Sequence, residues 1–64
     1  MKVSQLTYVV PPEVNVCILH RVSKYNHETL YKGNPKRLPK DSKLNGMHVH
    51  CVQPVSVELL YIYI

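Results

Sequence analysis

Val14-Asn15-Val16-Cys17-Ile18-Leu19-His20-Arg21-Val22 is the stretch whose reading decides the fold. Successive side chains of an extended chain point to opposite faces, so Val14, Val16, Ile18, His20 and Val22 share one side. Asn15, Cys17, Leu19 and Arg21 share the other. The first set reads as a core face. The second has Cys17 and Leu19 apolar in its middle, which marks a central strand partly covered on both sides.

Whole-chain composition agrees with that strand. Val, Ile, Thr and Tyr make up 20 of the 64 residues, and alanine, phenylalanine and tryptophan are absent. β-branched and aromatic side chains favour a pleated, half-buried surface, whereas alanine is the best helix former. The bias is uneven, because no valine falls between Ser23 and His48. The sheet is therefore expected to pause there.

Outward from the central strand, Lys2 to Val10 alternates imperfectly, with Leu6, Tyr8 and Val10 on one side, and reads as a strand that Pro11-Pro12 ends. Ser23 to Gly46 is ambiguous. Asn26 caps a short helix over 27–32 that Gly33 terminates, or Asn26-His27 turns the chain and 28–32 returns as a strand. The compositional bias favours the strand. Pro35, Pro39, Asp41, Ser42, Asn45 and Gly46 then mark a loop.

Extension resumes at Met47 and lasts to Ile64, interrupted by Gln53-Pro54. One strand over that length would reach about 60 Å, too long for a domain this small, so a bend or bulge is expected at Pro54. The expectation is a single all-β domain over 1–64 with four to five mostly antiparallel strands near 2–10, 14–23, 28–32, 47–53 and 55–64. They form an open barrel or a strongly bent sheet, with a mobile basic loop over 33–46. The expected core is Leu6, Tyr8, Val10, Val14, Val16, Ile18, Val22, Val49, Cys51, Val57, Leu59 and Tyr61.

So short a chain buries only about 60 % of its unfolded surface, so a disulfide, a metal or a second subunit would add stability where the core is thin. Cys17 and Cys51 are too few for a disulfide scaffold, and the N-terminal Met1-Lys2-Val3-Ser4-Gln5-Leu6-Thr7 lacks the apolar region of a signal peptide. The longest apolar run, Leu59 to Ile64, is far short of the roughly 20 residues that cross a bilayer. A cytoplasmic protein without membrane contact is expected, its cysteines small buried apolar residues.

Two binding classes follow. Leu59 to Ile64 turns apolar on both faces, with no charge and no proline, so it must be covered. Leu60, Ile62 and Ile64 would then lie on a strand that is either central or offered to a partner, another protein or a second copy of the chain. A small accessory factor of phage or plasmid type, acting on a host protein, fits that description. In the second class, Lys32, Lys36, Arg37, Lys40 and Lys43 grip nucleic-acid phosphates, while Tyr25 and Tyr31 flank them and stack on bases. The formal charge of +4 suits such a polyanion. The sequence places protein binding first.

Cys17 and His20, with His48, His50 and Cys51, supply zinc-type ligands, but on strands Cys17 and His20 face opposite ways, as do His48 and Cys51. The reading therefore assigns no metal and no cofactor, and keeps a small zinc-binding domain on these five residues as a second alternative to protein binding. His20 reads as a strand-end histidine. Glu13, Glu28, Asp41 and Glu58 are scattered, and there is no phosphate-cradling glycine loop or nucleophile elbow, so no catalytic residue is assigned.

Overall fold

The computed structural model describes all 64 residues. The alternating stretch at its centre forms β1 (Asn15–Arg21), and the chain returns as the strand β2 (His27–Gly33), though the turn lies over 23–26 rather than at Asn26-His27. A helix, α1 (Val3–Val9), precedes them. Two 3-10 turns follow, Pro35–Arg37 and Lys43–Gly46, and then β3 (Cys51–Ser56) and β4 (Leu59–Tyr63). The strands make one open mixed sheet in the order β2-β1-β4-β3. β1 runs antiparallel to β2 and parallel to β4, and β3 runs antiparallel to β4.

The N-terminal segment is the main correction. Residues 3–9 are helical, not extended. Val3, Leu6, Thr7 and Val10 recur at helical spacing, and Val3, Thr7 and Val10 are buried. The Lys2 N–H donates to Gln5 Oε1 at 2.8 Å, which supplies one half of a capping box. Val10 is extended, with φ −73° and ψ 128°, as the residue before proline prefers to be. Just before the helix the chain is briefly strand-like. Val3 N–H donates to the Met47 carbonyl at 2.9 Å, and Val49 N–H to the Met1 carbonyl at 2.8 Å.

One sheet face is covered. Residues paired in register share a face, which places Val16 with Leu60 and Ile18 with both Ile62 and Tyr31. Val3 and Val10 from the helical segment and Leu38 from the connection close over them, with Leu6, Leu44 and Val49 packed around the rim. Helix and connection form one layer and the sheet the other, consistent with a smallest dimension of 17 Å.

A bulge does fall beside Pro54, where the register skips Val55, but the chain does not turn a corner there. Pro54 lies inside β3, and the reversal into β4 comes at Val57-Glu58. Proline is tolerated there because β3 is an edge strand, where a missing N–H need not break the sheet. Several expected core residues lie at the surface. Tyr8, Val22, Cys51 and Val57 are exposed, while Val3, Cys17, Leu19, Leu38 and Ile62 are buried instead.

The connection over 33–46 is pinned rather than loose. Gly33 adopts φ 145°, a value side chains rarely tolerate, and this lets the chain leave β2. Asn34 Oδ1 accepts from Lys36 N–H at 2.8 Å, and Asn34 Nδ2 donates to the Pro12 carbonyl at 2.8 Å. Asn45 Nδ2 donates to the Pro39 and Lys40 carbonyls at 2.8 and 3.0 Å.

Only ten residues are buried, and the largest fully buried side chains are Ile18, Ile62, Val3 and Val16. A domain of this length holds about 3–10 kcal/mol of stability, and truncating a buried isoleucine costs about 2–5. Ile62→Ala should therefore lower the urea midpoint sharply or unfold the chain, whereas Val57→Ala should leave it within error. Equal midpoints for the two variants in urea titrations followed by circular dichroism would show that the core lies elsewhere.

Candidate nucleic-acid interface

The second face of the sheet carries no helix and no connection. Register assigns its side chains in rows across the strands. Gln53, Tyr61, Cys17 and Lys32 form one row, and Cys51, Tyr63, Leu19 and Thr29 the next, with Arg21 and His27 beyond them. None of these positions is a carboxylate. Cys17 and Leu19 are buried at the middle of the face, Tyr61 and Tyr63 are half-buried beside them, and Arg21, His27 and Lys32 are exposed.

The aromatic rings form a connected group. His27 meets Tyr63 edge to face at a centroid separation of 5.4 Å, and Tyr63 meets Tyr61 at 6.3 Å. Such contacts hold rings in fixed relative orientation. The Tyr63 hydroxyl donates to Gln53 Oε1 at 3.1 Å, which anchors that ring across to the edge strand. A depression of about 340 Å³ opens beside Tyr63, and Arg21, His27 and His50 line it with Cys51, Gln53 and Ile64. Arg21 also donates through Nε to the Ser23 carbonyl at 3.3 Å, so its guanidinium is held beside the hairpin turn.

The basic residues picked out by the sequence are dispersed. Lys32 is on the open face, paired with Cys17. Lys36 donates through Nζ to the Thr7 and Tyr8 carbonyls at 3.3 and 3.0 Å, closing the C-terminal end of α1. That is a structural use of the charge, since the last carbonyls of a helix lack backbone partners. Arg37, Lys40 and Lys43 are exposed along the connection. Tyr31 lies toward the core, and its hydroxyl donates to the Asn34 carbonyl at 2.6 Å. Tyr25 sits in the β1–β2 turn beneath Lys24, at the opposite end of β2 from the connection. The two tyrosines therefore do not flank a common basic surface.

The remaining candidates separate as well. Ile62 is buried, and Leu60 and Ile64 pack against the core. Both edges of β4 are occupied, by β1 and β3. Of the two alternatives for this strand, the chain takes the central one, and a partner strand would have to join at β2 or β3. Both of those edges carry a bulge, at Leu30 and at Val55, where one residue is skipped in the register. β3 also contains Pro54, and β2 contains Glu28 and Lys32. Bulges, charges and proline on an edge oppose the addition of a further strand.

Cys17, His20, His48, His50 and Cys51 are not gathered, and no group of three potential ligands is close enough to hold a metal. Cys17 is buried in β1, while Cys51 is exposed at the start of β3, and both are free thiols. No helix of the chain is long and apolar enough to cross a membrane. Sequence reasoning missed the open face because it counted Tyr61 as core and left Tyr63, Arg21 and His27 unassigned. The usable signal was the matching alternation of Cys17, Leu19 and Arg21 with Tyr61 and Tyr63, which acquires meaning only when β1 and β4 are neighbours.

Comparison with protein-family models, with curated proteins and with solved structures finds no match to the chain.

The role given to Lys36 separates it from its basic neighbours. Lys36→Met removes the bonds to two helix-end carbonyls and should cost about 1 kcal/mol. Lys43→Met, which removes only an exposed charge, should cost about 0.5 kcal/mol or less. Thermal unfolding of the two variants gives the comparison, and a Lys43 effect as large as that of Lys36 would contradict the assignment.

Proposed function

We propose that the chain is a small non-enzymatic binding protein whose open sheet face takes up single-stranded nucleic acid. One observation supports this above others: Tyr61, Tyr63 and His27 form a linked aromatic group on an uncovered sheet, with Arg21 and Lys32 beside it and no carboxylate in its rows. Aromatic rings on a sheet stack on unpaired bases without regard to sequence, and flanking cations neutralise the backbone. A duplex keeps the faces of its bases stacked on one another and out of reach of the rings, so single strands are the better fit. The net charge of +4 adds a favourable long-range field.

Fluorescence anisotropy with a labelled random DNA strand of about 12 nucleotides tests the reading. The expected dissociation constant at low salt is on the order of 10⁻⁶ to 10⁻⁴ M, weakening steeply as salt rises. Tyr61→Leu and Tyr63→Leu preserve apolar bulk, and each should weaken binding about tenfold while the circular dichroism spectrum is kept. Undetectable binding at low salt would sink the proposal.

A second reading, self-association, has its own observation. Val52, Val55 and Val57 are 41%, 50% and 90% exposed at the β3 edge and the turn beyond it. A second copy that covered them would relieve that exposure without using β4. Sedimentation equilibrium distinguishes the cases: a monomer at all concentrations excludes this reading, and a dimer broken by Val55→Lys supports it.

A further inference from the structure

We propose that the cleft between α1 and the 35–46 connection is a separate site for a phosphate-bearing small molecule. It belongs to the layer opposite the open sheet face and stands whether or not that face binds nucleic acid. Its volume is about 590 Å³, within the range of roughly 300–1,000 Å³ typical of small-molecule sites. Lys2, Ser4 and Tyr8 border it on the helix side, and Lys40, Ser42 and Gly46 on the other.

The charge in this cleft is one-sided. Three of the chain's six lysines, Lys2, Lys36 and Lys40, line it against a single carboxylate, Asp41. Lys36 is held on the helix-end carbonyls, so it supplies a fixed positive field, while the Lys2 and Lys40 side chains are exposed and free to close on an anion. Ser42 Oγ accepts from the Leu44 N–H at 3.2 Å, which leaves its own O–H to donate. Ser4 adds an exposed hydroxyl beside the half-buried one of Ser42. Ammonium groups and hydroxyl donors lining one space match the several acceptor oxygens of a phosphate.

Two sources of that phosphate are distinguished by Tyr8. Its ring is 82% exposed at the rim, with Lys36 Nζ 5.7 Å from its centroid on one side. A nucleoside monophosphate would lay its base on this ring, whereas free phosphate or pyrophosphate would leave it idle.

Isothermal titration calorimetry with adenosine monophosphate and with pyrophosphate tests the site on the intact chain. Saturable binding is expected, weakened about tenfold by Lys2→Gln and by Lys40→Gln and unchanged by Lys43→Gln, which lies outside the cleft. Apart from its chain neighbours, no heavy atom stands within 4 Å of a Cβ added at Gly46, so Gly46→Leu should keep the fold while placing an apolar side chain at the cleft's border and weakening binding about tenfold. Tighter binding of the nucleotide, with the margin lost in Tyr8→Leu, identifies a nucleotide site; equal binding identifies a free-phosphate site. Absence of heat with both compounds overturns the proposal, as does binding that is undiminished in Gly46→Leu and in both lysine variants.

Discussion

The contact between Ile62 and Ile18, made where β4 runs parallel to β1, is the interaction on which the rest depends. Parallel neighbours cannot be joined by a tight turn, so the chain between them must travel. Here it travels through β2, the connection and β3 before β4 inserts between β1 and β3. That insertion buries the most apolar segment of the sequence in the middle of the sheet. It also leaves the less apolar strands at the edges, where a bulge in each, a proline in one and charges in the other discourage further pairing.

With so few residues, one layer of cover is all the chain can supply. The α1 helix and the connection close one face, and they are fastened to each other by the Lys36 ammonium on the α1 carbonyls and by the Asn34 amide on the Pro12 carbonyl. The other face stays open, and its aromatic and cationic side chains are the surface most available for recognition. The two proposed sites thus follow from one economy of material: an uncovered sheet on one layer, and an imperfect join between helix and connection on the other.

Strand β1 was legible because its alternation is local and its residues carry strong β preference, whereas β2 (HETLYKG) was favoured over a helix only by the composition of the whole chain. The α1 helix was not legible, because Val3, Thr7, Tyr8 and Val9 are poor helix formers and mask the spacing of Val3, Leu6, Thr7 and Val10. Burial of that stripe against the sheet outweighs the propensity of the individual residues. The irregularity beside Pro54 was legible, but the continuation of β3 through the proline was not, since a proline ends an interior strand but not an edge strand, and edge status is a property of strand order. The candidate site suffered most. Lys32 lies in β2, within the strand expected over 28–32, but Lys36 and Tyr31 are tied to carbonyls of the fold, and the grouping of Tyr61, Tyr63, His27 and Arg21 arises from pairing between segments distant in sequence.

The most direct test of the open-face account is a two-dimensional amide NMR titration with a short DNA strand that lacks a terminal phosphate. The account predicts shifts concentrated at Leu19, Arg21, His27, Lys32, Tyr61 and Tyr63, with the α1 residues unmoved. Shifts confined to the helix and the 35–46 connection, or an unchanged spectrum at low salt, would contradict it.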